Sequence, residues 1–207
     1  MWNDLTKRYP SLERCEEDIK RALEIIIKCY EKGGKLLLCG NGGSSSDCEH
    51  IVGELMKDFL IRRPIPKEKR EEMRRRFPSI DDAVLDTLQL GLPAISLPSI
   101  TGFNTAFAND RNPELVYAQG VLSLANENDV LVAISTSGNA KNVIHAVEVA
   151  RSLGIRTVGL SGKDGGALGK LTDVCIIAPE NETYKIQELH LPIYHWLCAE
   201  VEKYFFG

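Results

Sequence analysis

The sequence predicts an α/β fold in which five parallel strands form one sheet with helices on both faces. Five short apolar segments alternate with helical segments along the chain, which is the order that a parallel sheet requires. Within these segments apolar residues are consecutive rather than alternating with polar ones, as is typical of strands covered on both faces. The 207 residues, 43% of them hydrophobic, suffice for one domain with a full core.

The first part of the chain predicts a helix, a strand and a second helix. Apolar residues within 11–32 recur at helical spacing, with acidic residues early and lysine late, and two glycines follow. The apolar segment 35–39 is predicted as a strand. The turn 40–46, with the sequence GNGGSSS, then leads into a helical segment over about 47–59. This strand–turn–helix unit starts the predicted sheet.

The same alternation returns in the second part of the chain. Pro113 stands near the start of a predicted helix, a position that proline favours. A second polar turn, STSGN at 135–139, again joins a strand to a helix. The predicted strands are residues 94–97, 130–134, 156–160 and 174–177, and the predicted helices are residues 113–125, 142–153 and 183–205.

One charged segment interrupts the alternation. Residues 62–78 carry eight basic and three acidic side chains. Such a composition indicates either a solvated insert at the edge of the fold or a segment that binds phosphate or docks a protein.

Composition excludes several classes of protein. The net charge of −4 gives no electrostatic reason to expect nucleic acid as a partner. We expect no membrane association and a cytoplasmic location, because the chain has no long apolar segment and no apolar signal sequence at its start. The six cysteines show no CxxC pair and are expected to be reduced and mostly buried. Cys48, beside the glycine-rich turn, is the one for which a chemical role stays open.

The two turns predict a phosphate site. Each follows the carboxyl end of a predicted strand and opens a helix, which is where open parallel sheets bind ligands. Glycines in the first turn free backbone amides, and Ser44 offers a hydroxyl; the second turn offers Ser135, Thr136 and Ser137. Amides, hydroxyls and a helix N-terminus together favour a phosphate dianion, although a hydroxyl-capped helix is the simpler interpretation of the second turn. Neither turn has the P-loop lysine or GxGxxG spacing, so no nucleotide cofactor is expected.

A second group of residues is ionisable. His50 and Glu54 lie four apart on the helix after the first turn and therefore share a face. Such a pair can hold a divalent metal, divide acid and base roles, or be an ordinary exposed helix pair. The C-terminal helix adds Gln187, Glu188, His190 and His195, whereas His145 on an amphipathic helix is expected to be structural.

In this order and spacing, these residues resemble the phosphoheptose isomerase family, which belongs to the sugar isomerase (SIS) domain proteins. The resemblance covers nearly the whole chain except an insert around 62–88. It implies a single SIS domain over 1–207 with a charged helical insert, a flavodoxin-like sheet, and a homotetramer with active sites at subunit interfaces. The motifs that carry it are Gly40-Asn41-Gly42-Gly43-Ser44, His50 and Glu54, Ser135-Thr136-Ser137-Gly138-Asn139, and Gln187-Glu188-Leu189-His190 with His195.

The resemblance implies conversion of sedoheptulose 7-phosphate to D-glycero-D-manno-heptose 7-phosphate through an enediol, the first step toward heptose precursors of surface glycans. It implies Glu54 and His195 as the acid–base pair. A zinc site found in some members corresponds to His50, Glu54, Gln187 and His195. The implied substrate-binding residues are Asn41, Gly42, Gly43, Ser44, Glu54, Asn109, Asp110, Ser135, Thr136, Ser137 and Gln187.

The chain departs from the family pattern at three positions. Ala140 replaces a serine that would supply one phosphate hydroxyl, and Tyr184 replaces a frequent acidic residue. Pro192 lies within the last helix, where it removes one backbone hydrogen bond and should cause a kink. In addition, Gln187 and His195 are about 12 Å apart along a straight helix, so they share one ion only if both reach inward or different subunits contribute.

Two other functions are compatible with an SIS fold. One is a non-catalytic adaptor of the kind that binds the bacterial replication initiator, which the segment 108–118 resembles. That group lacks the glutamate and the final histidine, which are present here as Glu54 and His195. The other is a sensor domain that only binds a sugar phosphate, usually attached to a DNA-binding module.

Overall fold

A computed structural model describes residues 2–207, and in that range five strands form one parallel sheet. In chain order the strands are β1 (Leu36–Gly40), β2 (Ala94–Ser96), β3 (Val130–Ile134), β4 (Arg156–Ser161) and β5 (Val174–Ile177). Their spatial order is β2-β1-β3-β4-β5, which is the flavodoxin-like order, and every neighbouring pair is parallel. The predicted fold class is confirmed.

Ten α-helices surround the sheet in the described part of the chain. In chain order they are α1 (Trp2–Arg8), α2 (Glu16–Glu31), α3 (Gly43–Met56), α4 (Lys67–Arg76), α5 (Asp82–Thr87), α6 (Thr101–Asp110), α7 (Val116–Leu124), α8 (Lys141–Ser152), α9 (Leu168–Leu171) and α10 (Thr183–Phe206).

The central strands are buried on both faces, as their uninterrupted apolar sequences predict. Every residue of β1 and β3 is buried. Because alternate residues of a strand face opposite sides, Leu36 and Leu38 pack with helices α1, α2, α3 and α10, whereas Leu37 and Cys39 pack with α7, α8 and α9. The sheet therefore separates two apolar cores, one on each face.

Helix boundaries differ from the prediction where the chain winds more tightly. The first predicted helix begins as a 3-10 helix at Pro10–Cys15 and continues as α2. Likewise, a 3-10 turn at Pro113–Leu115 precedes α7. The short helices α1 and α6 were not predicted. Helix α10 is continuous through Pro192, which is buried.

The charged segment forms an excursion between α3 and β2 that contains α4 and α5. The excursion closes at its base, where Leu90 N donates to Arg63 O at 2.8 Å and Pro64 bridges Gln89 in antiparallel fashion. Three of its arginines pair with its own acidic residues, Arg70 with Asp86, Arg74 with Asp82 and Arg76 with Glu72. Much of its charge is therefore matched internally.

The cysteines agree with the prediction of buried thiols. Five of the six are buried, and Cys175 is half-buried. Burial raises the pKa of the Cys48 thiol well above its usual value, so this group stays protonated and is a poor nucleophile. Among residues 2–207, no helix combines the length and the apolar character needed to cross a bilayer.

Candidate active site

The two polar turns lie side by side at the carboxyl edge of the sheet. They follow β1 and β3, which are neighbours in register from Leu36↔Val130 to Gly40↔Ile134. A reciprocal amide pair joins the first turn to the start of α8: Asn41 Nδ2 donates to Asn142 Oδ1 at 2.8 Å, and Asn142 Nδ2 donates to Asn41 Oδ1 at 2.9 Å. Both turns lie at the carboxyl ends of neighbouring strands and lead into helices α3 and α8.

The first turn requires glycine at two positions for different reasons. Gly42 has φ +56°, in the left-handed region that glycine adopts without strain. At Gly43 a Cβ would lie 2.4 Å from the Gln187 side-chain nitrogen. Glycine at this position therefore lets Gln187, from α10, approach the backbone of the turn. Ser44 is buried in the first turn of α3, and its amide donates to Asn41 O at 3.0 Å.

The second turn is held by backbone contacts to its neighbours. Ser135 is buried, and its amide donates to Leu160 O at 3.0 Å. Gly138 has φ +66°, and a Cβ there would lie 2.0 Å from Gly165 O, so only glycine fits. The Ser137 hydroxyl oxygen accepts a hydrogen bond from Asn139 N at 3.2 Å, which leaves the hydroxyl proton free to donate. Thr136 and Ser137 are both half-buried, at the N-terminal side of α8.

Ala140 occupies the N-cap of α8. Because alanine has no polar side chain, it offers no hydrogen-bond acceptor to the free amides in the first turn of this helix. The adjacent Lys141 pairs with Glu114 at 3.0 Å rather than turning back over the second turn. A shallow, open depression lies here between Asn41 of the first turn and the start of α8. Its lining residues are Asn41, Pro113, Glu114, Ala140, Lys141 and Asn142.

A cluster of three ionisable side chains forms where α3 meets α10. His50 Nε2 lies 3.3 Å from Glu54 Oε1 and 3.2 Å from His195 Nε2. One ligand atom from each of the three residues lies within 4.8 Å of the others. The Glu54 side chain is only 14% exposed. Spacing alone predicted the His50–Glu54 pair, and the fold adds His195 from 145 positions further along the chain.

Tyr194 and Asp47 orient His50, and neither was predicted from the sequence. The Tyr194 hydroxyl donates to Asp47 Oδ1 at 3.3 Å and lies 3.0 Å from His50 Nδ1. With the hydroxyl proton directed to Asp47, the phenol oxygen is free to accept from Nδ1–H of His50. In that tautomer the Nε2 lone pair of His50 faces Glu54 and His195. Asp47 precedes His50 by three positions on one helix face, which is the signal that could have identified it.

The electrostatic surroundings keep His195 neutral. Burial and the neighbouring His50 ring lower the pKa of His195 below its usual value, although Glu54 opposes this shift. A neutral imidazole can accept a proton or bind a metal ion.

The three-residue cluster fits a zinc ion. Nitrogen and oxygen ligands about 2.0–2.1 Å from a tetrahedral zinc lie about 3.3 Å from one another. The His50–His195 and His50–Glu54 separations of 3.2 and 3.3 Å match that spacing, and the Glu54 and His195 ligand atoms lie within 4.8 Å of each other. The donor set, two imidazoles and one carboxylate, is also one that zinc prefers. Gln187, the predicted fourth ligand, contacts Gly43 of the first turn.

Other candidate residues lie in different surroundings. Asn109 and Asp110 are exposed in the last turn of α6, where Asn109 Nδ2 donates to Asp110 Oδ1 at 2.9 Å. His190 is fully buried and bonds to Ser161 O at 3.0 Å, which is a structural position. His145 pairs with Glu148 at 2.8 Å, as expected for a residue outside the site.

The chain is similar to known proteins over most of its length. Two family models, both described as SIS domain, match residues 102–194 and 3–72. The chain is 40% identical to phosphoheptose isomerase of Helicobacter pylori strain P12 over 195 residues, covering 94% of this chain and 88% of that protein.

Two solved structures share the fold over nearly the full length. Phosphoheptose isomerase GmhA from Neisseria gonorrhoeae superposes with a TM-score of 0.75 at 29% identity, covering 97% of this chain and 96% of that one. A phosphoheptose isomerase from Francisella tularensis superposes with a TM-score of 0.75 at 27% identity, covering 98% and 94%.

Proposed function

We infer that this chain, which belongs to the phosphoheptose isomerase family of SIS domain proteins, converts sedoheptulose 7-phosphate to D-glycero-D-manno-heptose 7-phosphate. It is an isomerase, and its relatives of that name match nearly its whole length. The main structural observation behind this inference is the cluster of His50, Glu54 and His195 beside the two polar turns, which we take as the active site. The product would be a heptose precursor for surface glycans.

The reaction requires two proton movements and no redox change. The ketose loses a proton from C1 to give an enediol, and a proton returned at C2 gives the aldose. A second proton moves between the oxygens on C1 and C2. We propose Glu54 as the base at carbon, since a carboxylate in a mostly dry position can accept that proton. We propose that His195, neutral at pH 7, carries the proton between the oxygens.

We propose that the same cluster binds zinc, held by His50, Glu54 and His195, with Gln187 as a further ligand. The separations among His50, Glu54 and His195 support their part of this assignment, whereas Gln187 is included because of the family resemblance. When bound, zinc would stabilise negative charge on the enediol oxygens. Tyr194 and Asp47 would support binding by presenting the unprotonated Nε2 of His50.

We propose that the phosphate group binds at the second turn. Ser135, Thr136 and Ser137 would supply hydroxyls, and the N-terminus of α8 would supply amides. Asn41, Gly42, Gly43 and Ser44 of the first turn would contact the sugar. Binding at the remote phosphate provides positioning energy for the reacting carbons.

A homotetramer with active sites between subunits is part of the proposal. Leu115, Leu122 and Tyr184 are large side chains exposed on the single subunit, and subunit contacts would bury such residues. The exposed pair Asn109 and Asp110 would then reach the site of a neighbouring subunit. Light scattering after size-exclusion chromatography tests the oligomeric state. The cytoplasmic location expected from the sequence stays a prediction.

The adaptor alternative is not favoured, because the matched relatives are isomerases and the chain retains both Glu54 and His195. Incubation with sedoheptulose 7-phosphate, with the aldose product measured over time, distinguishes the two. An isomerase forms aldose at a rate proportional to enzyme concentration. Absence of aldose from a folded protein would contradict the assignment, and Glu54→Gln serves as the inactive control.

A further inference from the structure

A fully buried ion pair joins the beginning of the excursion to the last helix. The side chains of Arg63 and Glu202 are each 0% exposed, and Arg63 Nη2 lies 2.8 Å from Glu202 Oε1. Arg63 Nε donates to the same oxygen at 2.8 Å. A buried pair of charges is tolerated only where further hydrogen bonds satisfy both groups. Those further bonds lead directly to the candidate active site.

Glu202 holds the backbone that follows α3. Its carboxylate accepts hydrogen bonds from three successive amides, Phe59 N at 2.8 Å, Leu60 N at 2.7 Å and Ile61 N at 3.1 Å. Burial alone would raise the pKa of Glu202, but the Phe59 and Leu60 amides and Arg63 outweigh it and lower this pKa. The carboxylate therefore stays ionised at neutral pH and keeps accepting from all of these donors.

Arg63 holds the end of the helix that carries Glu54. Carbonyl groups in the last turn of a helix lack partners within the helix. Arg63 Nη1 donates to Leu55 O at 2.7 Å, and Arg63 Nη2 donates to Glu54 O at 3.2 Å. The guanidinium thus bonds to the main chain of Glu54 itself. It also stacks over the Phe206 ring at 4.6 Å, which restricts its own movement.

The same segment touches the second proposed proton carrier. The Phe59 ring lies 5.5 Å from the His195 ring, centroid to centroid. Because Glu202 fixes the Phe59 amide, it also fixes the position of that ring against His195. Glu54 on α3 and His195 on α10 are therefore connected through one buried pair and the short segment between them.

We propose that Arg63 and Glu202 are positioning residues that hold Glu54 and His195 at the separation catalysis needs. The proposal rests on the acid–base roles given above. Neither residue reaches the reacting atoms; each acts through a main-chain group or a ring. A displacement of about 1 Å in a catalytic group can lower turnover by about 10²-fold, so a loosened pair should reduce kcat more than it raises KM.

The test compares Glu202→Gln with a matched buried carboxylate elsewhere. Asp129 accepts hydrogen bonds from Lys35 N, Lys35 Nζ and Asn126 N at 2.9, 2.6 and 2.7 Å. It directly precedes β3, at the amino ends of the strands and therefore away from the candidate active site. We expect Glu202→Gln to lower kcat by about tenfold or more while KM changes by less than about threefold. Asp129→Asn should lower thermal stability but leave both constants unchanged. Equal kcat in all three proteins would make the Arg63–Glu202 pair purely structural.

A second measurement does not depend on turnover. Diethyl pyrocarbonate modifies neutral exposed imidazoles, and mass spectrometry of the chelator-treated protein gives the rate for each histidine. We expect Glu202→Gln to raise the rate at His195 severalfold, with buried His190 as the internal reference, and Asp129→Asn to leave it unchanged. An unchanged rate of His195 modification in Glu202→Gln would overturn the positioning proposal. This readout does not require activity: an inactive wild-type protein would refute the proposed function separately.

Arg63→Lys covers the case in which Glu202→Gln does not fold. Lysine retains the buried charge, but one ammonium group cannot replace the planar fork that reaches Glu202, Leu55 and Glu54 together. We expect the same fall in kcat and the same rise in His195 modification. Wild-type values for both would refute the positioning role.

Discussion

Acid should weaken the attachment of α10 to the sheet through one buried histidine, and His190→Gln should remove that sensitivity. His190 is fully buried, and its Nε2–H donates to Ser161 O, at the carboxyl end of β4, at 3.0 Å. Its Nδ1 is buried without a partner among residues 2–207. A second proton would therefore sit on a buried atom that has no hydrogen-bond acceptor among those residues.

The size of the effect follows from the pKa of His190. Burial lowers this pKa from 6.5 to about 4, although the hydrogen bond to Ser161 opposes the shift. Above pH 6.5 both folded and unfolded chains hold a neutral imidazole. As the pH falls from 6.5 toward 4, the unfolded chain takes up the proton first, so the free energy of unfolding decreases. At about 1.4 kcal/mol per pKa unit, the loss is about 3 kcal/mol.

Urea unfolding followed by circular dichroism, at several pH values and one fixed protein concentration, measures this loss. Glutamine keeps a donor near the Nε2 position but has no proton to gain, so the variant should lose about 3 kcal/mol less than wild type across the window. All other ionisable groups are present in both proteins, so their contributions cancel in the difference. Parallel stability curves for the two proteins would show that His190 does not titrate as inferred.

Three further predictions concern the site. Glu54→Gln should lower turnover by about 10²–10⁴-fold without unfolding the protein, because the amide cannot accept a proton; wild-type turnover would exclude Glu54 from the mechanism. Chelation should lower activity and zinc should restore it, whereas full activity in protein shown by metal analysis to be metal-free would refute the zinc proposal. Ser137→Ala should raise KM about tenfold, since a hydroxyl bond to phosphate contributes about 1–3 kcal/mol, and Ala140→Ser should lower KM modestly. An unchanged KM in steady-state assays of Ser137→Ala would place the phosphate elsewhere.

Strand positions could be predicted from the sequence because each strand is a short, uninterrupted apolar segment. The predicted bounds of β3 and β5, 130–134 and 174–177, are those of the structure. The short helix α1 could not be predicted, since it buries one residue, Leu5, and depends on contacts such as that of Trp2 with Trp196 at 5.3 Å. Helix α6 contains glycine, threonine and asparagine, which carry little helical signal of their own.

Within the site, local spacing could identify the His50–Glu54 pair but not what surrounds it. The distance to His195 depends on how α10 crosses α3, which no local pattern encodes. Arg63 and Glu202 illustrate the same limit. They are 139 positions apart and appear in the sequence as ordinary charges, one of them in a basic segment. Only the packing of the excursion against α10 brings them together away from water.

The closed base of the excursion makes this part of the molecule a natural grafting position for protein engineering. The chain leaves and re-enters the domain at one point, where Arg63 bonds to Leu90 and Pro64 to Gln89. Loop-closure entropy grows slowly, by about 0.6 kcal/mol for each doubling of length. A peptide epitope or a small folded domain inserted at 78–79, in the exposed link between α4 and α5, would therefore add little conformational cost and leave the sheet register unchanged.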